Sequence, residues 1–263
     1  MRAALSGLSS GRSWAVVERA LRAIGRMNWL VILTGFFEPV LYLLAMGLGM
    51  GGMIGSIPGP DGRPMSYAAY IAPALMASSA MNGALIDSTF NVFFKIRFSK
   101  LYETMLSTSL GPADVAIGEI VMALLRGALY ALGFLGVMGT MGLVTSWWAL
   151  AMIPVALLIA FGFAALGMAT TSFMRTFQQL DLVFLVMLPM FLLSSTLFPI
   201  TVFPPVVQWL IMALPLWHGI ELMRQLSVGI LTPMTFVHVG YFVVLGVVGA
   251  IAVTLRLRKL FLR

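Results

Sequence analysis

The sequence predicts an all-α membrane protein with six spans. Three observations carry that reading. Of the 263 residues, 60% are hydrophobic and only 10% charged, with mean hydropathy +1.01; a soluble domain carries roughly 25% charge. Six apolar runs approach the ~20 residues that a crossing requires. Basic residues cluster between those runs instead of within them. Six spans with their connections use the chain from 28 to 263, leaving 1–27 as a cytoplasmic tail and no room for a separate soluble domain.

Residues 12–26 read as an interfacial amphipathic helix. Trp14, Val17, Leu21 and Ile24 repeat at helical spacing, and Arg12, Arg19, Arg22 and Arg26 occupy the other side. The first span, about 28–50, holds Glu38-Pro39 and exits through Gly47, Gly49, Gly51 and Gly52; it is too long for a signal-peptide core and reads as an uncleaved anchor. Pro58, Gly59, Pro60, Asp61, Gly62 and Pro64 then mark a turn-rich loop. The remaining spans are expected at about 67–87, 113–139, 147–172, 180–198 and 236–255. Pro112 suits the first turn of the third, and Trp147-Trp148 suits the interface before the fourth.

Orientation follows from charge. With the N-terminus inside, thirteen of sixteen Lys/Arg lie on the inner side, Arg63 and Arg224 outside, and Arg126 within a span. This bias puts both termini in the cytoplasm, with the spans in the plasma membrane. The positive net charge of +7 is thereby assigned to bilayer orientation and not to nucleic acid. There is no cysteine, so thiolate metal sites and disulfides are excluded.

Leu188 to Gln225 breaks the regular pattern, holding five of the 13 prolines. The apolar piece 202–217 is short for a span, and a crossing there would put the basic tail outside. It is therefore placed as a re-entrant hairpin in the outer leaflet, about 200–217, shaped by Pro199, Pro204, Pro205 and Pro215 with Trp209. No internal repeat accompanies it, which weakens an inverted-repeat carrier.

Between the second and third spans, Phe94, Phe98, Leu101, Tyr102 and Met105 form an apolar stripe, with Lys95, Ser99, Lys100 and Glu103 on the other side. A helix of about 91–106 with this pattern either docks into a groove on a soluble partner or rests on the membrane. Intramembrane ionisable groups are functional hypotheses by default: Glu38, Glu119 and Arg126. Glu119 and Arg126 share a face two turns apart, ~10 Å along the axis, too far to pair with each other, so each is expected to meet another helix. The carboxylates are scattered, which disfavours a proton relay. His218 and His238, read as isolated, make a poor metal site. Gly133, Gly136, Gly139 and Gly142 suggest close helix packing. HExxH, GxSxG and GxxxxGK[ST] are absent from the sequence, so no catalytic, cofactor or metal residues are assigned.

Three segments together resemble a known family: Phe94-Lys95-Ile96-Arg97 through Lys100-Leu101-Tyr102-Glu103-Thr104-Met105-Leu106-Ser107-Thr108 with Gly118-Glu119; Ser195-Thr196-Leu197-Phe198-Pro199 with Pro204-Pro205 and Trp209; and Leu214-Pro215-Leu216-Trp217-His218 with Glu221-Leu222-Met223-Arg224-Gln225. The chain resembles the ABC-2 class of exporter permeases, and is similar to the branch of lipooligosaccharide (nodulation-factor) and daunorubicin/doxorubicin permeases. The resemblance implies a permease whose ATP and Mg are bound by a separate ABC ATP-binding subunit, paired with a second permease of the same or a different chain. It implies a connecting helix at the N-terminus, a coupling helix at 91–106 and re-entrant helices at 200–217. Membrane lipid and an amphipathic, lipid-linked or drug-like substrate complete the expected partners. Two other classes stay open: a membrane assembly or anchoring protein without transport, and a proton-coupled carrier.

Overall fold

The protein, seen in a computed structural model, is described for residues 11–24, 37, 39–60 and 62–261. The first part of the expected first span, Glu38 included, lies outside the described residues. The remainder of that span forms α2 (Pro39–Ile54), and α1 (Ser13–Ile24) precedes it in the chain. Helix α2 loosens into π-helical turns over Leu43–Met50, a run holding Gly47 and Gly49, and stops at Gly55, whose φ of 75° is left-handed. A small antiparallel hairpin, β1 (Ser56–Pro58) and β2 (Pro64–Ser66), sets Ile57 opposite Met65. Ser66 then caps α3 by accepting the Ala69 amide at 3.3 Å.

Helix α3 runs Tyr67–Arg97, 31 residues, and is the centre of the fold. Of its apolar window 78% is buried, against 28% for the last helix. Against it pack α5 (Pro112–Thr140) and α6 (Trp147–Thr171), and α10 (Pro233–Phe261) packs chiefly on α6. Tyr67, Phe134, Phe163 and Phe242 are among the largest buried side chains of this core. The backbones of α6 and α10 approach closely: a Cβ at Gly249 would lie 2.8 Å from the Ala165 carbonyl carbon, so only glycine lets them meet there. The expected glycine stripe on α5 behaves differently. Among the described residues Gly136 and Gly139 have no neighbour within 4 Å of a Cβ position, and Gly142, φ 68°, follows the end of the helix.

Among the described residues, four helices are long and apolar enough to cross a membrane. The expected fifth span is α7 (Phe177–Leu193), which stops short of residue 198. It ends where Ser195 takes a left-handed φ of 62°. Where the hairpin is expected, at 200–217, a single 3-10 turn at Ile200–Val202 is followed by two helices, α8 (Pro205–Ala213) and α9 (Pro215–Val228), bent 88° from one another. The second limb continues to Val228, well past the expected limit at 217. The bend has a local cause. Leu214 precedes a proline and is forced extended, ψ 133°, while Pro205 and Pro215 each open a helix.

Candidate functional site

One end of the molecule, which the charge pattern predicts to face inward, is built from α1, the end of α3, a short helix α4 (Leu101–Leu106) and the start of α5. One continuous helix over 91–106 does not form. Helix α3 continues to Arg97, then Lys100 adopts a left-handed φ of 48° and α4 starts in a new direction. The apolar stripe is thereby divided. Phe94 and Phe98 stay exposed, at 45% and 64%, with ring centroids 5.0 Å apart. Tyr102 and Met105 turn inward and are buried, and Leu101 is half-buried against the same cluster. Lys100 and Glu103 remain exposed near Phe98 in the chain.

The charged residues hold this end rigidly. Lys95 Nζ meets Glu119 Oε2 at 2.5 Å, and Arg126 Nη1 meets Asp87 Oδ1 at 2.5 Å. Helices α3 and α5 are thus joined by two rungs of opposite polarity, in keeping with the two-turn spacing of Glu119 and Arg126. Asp87 opens a π-helical turn within α3, Asp87–Asn91. Both of these carboxylates are engaged with cations, an arrangement that suits bracing better than a relay. Tyr102 lies wholly buried next to Glu119; burial first, then the carboxylate charge, hold its phenol well above the ordinary range. Among the described residues neither its hydroxyl nor Glu119 Oε1 makes a hydrogen bond of good geometry, although the two side chains lie near enough for the hydroxyl to interact with the carboxylate.

Helix α1 is fastened to this end. The Arg12 amide donates to Asp114 Oδ1 at 3.2 Å, and Arg12 Nη1 donates to Ser109 Oγ at 2.5 Å. Val16 and Val17 are its buried face, and Val16 lodges where Gly118 of α5 leaves room: a Cβ there would come within 2.5 Å of Val16 Cβ. Of the expected apolar face, Val17 is buried, while Trp14 and Leu21 stay exposed on the side away from α5.

At the opposite end, Arg224 is the organising residue. Only 3% exposed, it donates through Nη2 to the carbonyls of Ser195 (2.6 Å) and Thr196 (3.3 Å) and through Nε to Tyr70 O (3.4 Å), and pairs with Glu221 at 3.1 Å. Its guanidinium lies 3.8 Å from the Tyr70 ring centroid. Tyr67 adds a hydrogen bond to Leu197 O. The irregular segment after α7 is thus held by α9 and α3. Charge counting treats Arg224 as an outer-loop residue; the signal for its role is the i, i+3 Glu221–Arg224 pair in an otherwise apolar helix. The histidines are not isolated either. His218 Nδ1 and His238 Nδ1 lie 2.8 Å apart, Tyr241 stacks on His218 at 4.1 Å, and Trp217 meets both rings edge-on. Among the described residues no group of three metal-type side chains assembles. Of the expected outer-element residues, Pro204, Pro205 and Trp209 are exposed, Trp209 at 74%, while Pro199 and Pro215 are half-buried at helix boundaries.

A cavity of about 370 Å³ separates α2, α3 and α7. Ser78, Ser79 and Asn82 form a polar strip on its α3 wall, and Phe184, Met187 and Phe191 line it from α7. Nothing in the sequence pattern reveals this space, because it depends on Tyr42 and Phe191 standing 6.0 Å apart to bridge α2 and α7.

The family model for the ABC-2 type transporter matches residues 12–228, covering α1 through α9. Nodulation protein J of Rhizobium leguminosarum bv. viciae is 31% identical over 260 residues, 97% of each chain. Nodulation protein J of Rhizobium meliloti is 30% identical over 237 residues, 88% of this chain and 86% of that one. A brace of charged rungs at one end, a bent helix pair at the other and long apolar helices between them thus coincide with a family match over most of the sequence, and the chain belongs to the ABC-2 type transporter family.

Proposed function

We propose that this chain is the membrane-spanning half of an ATP-driven exporter that moves an amphipathic, lipid-linked or drug-like compound outward across the plasma membrane. ATP and Mg are handled by a separate ATP-binding subunit, and a second permease, identical or not, completes the pathway. Both termini face the cytoplasm, and α8 with the first turns of α9 dips back into the outer leaflet. The observation that carries this reading is the divided coupling segment. Phe98, Lys100 and Glu103 present an exposed contact, while Tyr102, Met105 and the Lys95–Glu119 rung root that contact in α5. A push on the exposed side is delivered to two spans at once. The cavity between α2, α3 and α7 supports an amphipathic cargo, because hydroxyl and amide groups line one wall and aromatic and thioether groups the other.

The test is purification of the tagged chain from its native membrane, with reconstitution alongside the ATP-binding subunit that accompanies it. Inside-out vesicles are expected to accumulate a fluorescent amphipathic probe only with ATP. Phe98→Ala, Lys100→Glu or Glu103→Lys is expected to leave ATP hydrolysis running while transport falls. Unchanged coupling in all three rejects the docking face, and transport driven by a pH gradient without ATP rejects the exporter.

A further inference from the structure

The exposed aromatic surface at the inner end is larger than the segment between α3 and α4. Phe177, the first residue of α7, is 48% exposed and sits edge-on to Phe94 and Phe93, with ring centroids at 6.2 and 6.5 Å. Phe94 and Phe98 complete the group, 5.0 Å from each other. The two segments carrying these rings are tied: Arg97 Nη2 donates to Met174 O at 2.7 Å, across 77 residues of sequence. In the same turn the Arg175 backbone N–H donates to Gln179 Oε1, and the residue stays exposed. Three half-exposed phenyl rings, edged by the exposed cations Arg97, Lys100 and Arg175, have the make-up of an interface centre with a charged rim.

Helix length decides between lipid and protein as the cover. Helix α3 has 31 residues, about 46 Å at 1.5 Å per residue, whereas the hydrocarbon layer is about 30 Å thick. Counted from Tyr67, the layer is used up near Asp87, where the first charged rung stands. Phe94 lies about 10 Å beyond that point and Phe98 about 16 Å beyond it, past the depth of acyl chains. Water does not favour a cluster of bare phenyl rings.

We infer that the α6–α7 connection is a second docking element for the ATP-binding subunit, with Phe177 and Arg175 completing a platform begun by Phe94 and Phe98. Its occupant is a protein face with an apolar socket bordered by carboxylates. This rests on the exporter reading and extends it from one inner segment to two. The consequence is mechanical: α7, which walls the cavity, receives the stroke directly through its own first turn, and not only through α3.

The experiment places the photoreactive residue p-benzoylphenylalanine at 98 and, separately, at 177 in the full chain. After irradiation in native membranes, adducts are identified by mass spectrometry. An adduct with a P-loop ATPase is expected from both positions. Phe177→Ser and Arg175→Glu are each expected to weaken co-purification of that ATPase about tenfold, with the chain still folded by thermal melting. An ATPase adduct at 98 with only lipid, or another protein, at 177 overturns this inference and leaves the exporter reading standing. No ATPase adduct at either position overturns both. Retained co-purification in both variants also overturns the second docking element.

Discussion

The two ends of the bundle solve the same problem, holding ionisable groups in an apolar protein, by different means. At the end that carries α1 and α4, cation meets anion: Lys95 with Glu119 and Arg126 with Asp87, each rung joining α3 to α5. At the opposite end a single guanidinium is spread over neutral acceptors, the carbonyls of Ser195, Thr196 and Tyr70 and the Tyr70 ring, with Glu221 as a partly exposed partner. Paired point charges fix the spacing of two helices but tolerate exchange of sign. A planar fork threaded among carbonyls fixes the path of an irregular segment and depends on its own shape. The first end is therefore a brace between regular elements, and the second a clasp on an element with no regular structure of its own.

The largest expected effect separates these two designs. Arg224→Leu strands the Ser195 and Thr196 carbonyls and leaves Glu221 without its partner, and about 3–5 kcal/mol of stability is expected to go with it. Arg224→Lys is expected to recover less than half, because an ammonium cannot reach three carbonyls and stack on Tyr70 together. The measure is the thermal midpoint in detergent. Equal midpoints for Arg224→Lys and wild type would reduce the clasp to a point charge and erase the distinction.

Next is the brace. Glu119 is buried and Lys95 only partly exposed, so Glu119→Ala is expected to cost about 2–4 kcal/mol, toward the lower part of the range for a broken buried pair. The exchange Lys95→Glu with Glu119→Lys is expected to restore more than half of that loss, which Arg224 and Glu221 exchanged are not. A double-mutant cycle on each pair makes the comparison quantitative. A third, smaller effect concerns the attachment of α1. Gly118→Ala puts a methyl group against Val16, and about 1–3 kcal/mol is expected for the overpacking. It is expected to appear as faster proteolysis within residues 13–24 and not as a lower midpoint for the whole bundle.

Legibility in the sequence divides along the same line. Glu119 and Arg126 are legible, since a seven-residue spacing forbids their pairing and sends each to a neighbour; which neighbour depends on helix register, and the partners stand 24 and 39 residues away. The amphipathic character of α1 is legible, but not the whole of its buried face, which Gly118 extends to Val16. The prolines announce the break around 199–215 correctly, because Leu214 must extend before Pro215. Arg224 looks like one more outer basic residue apart from the i, i+3 spacing to Glu221, since its other acceptors are backbone carbonyls that leave no mark on the sequence. The interruption at Lys100 is hidden for a related reason: a left-handed lysine carries no glycine to announce it, and the hydrophobic spacing of 94–105 is satisfied by one helix on paper.

The smallest effect is also the one with the least intuitive sign. Tyr102 is buried to 0% exposure, and among the described residues its hydroxyl makes no hydrogen bond of good geometry, with the Glu119 carboxylate beside it. A buried hydroxyl without a partner carries a desolvation cost that its packing must offset. Tyr102→Phe keeps the ring in place and removes that cost, so the variant is expected to be as stable as wild type or more stable, by up to about 1 kcal/mol. The pH dependence sharpens this. The folded protein holds the Tyr102 phenol above its ordinary range, through burial first and then the Glu119 charge. An acid whose folded pKa is raised binds its proton more tightly in the native state, so unfolding releases it once the pH passes the ordinary phenol value near 10. Raised affinity for a proton stabilises the fold fully below that value and is lost as the pH climbs past it. Stability of the wild type therefore falls above pH 10 relative to Tyr102→Phe, and the gap widens in favour of the variant. Paired melts at about pH 8 and about pH 10.5, on either side of the ordinary phenol value, read this difference; a variant that melts lower than wild type at both values would mean that the hydroxyl and Glu119 are bonded to each other, making Tyr102 a third rung of the brace.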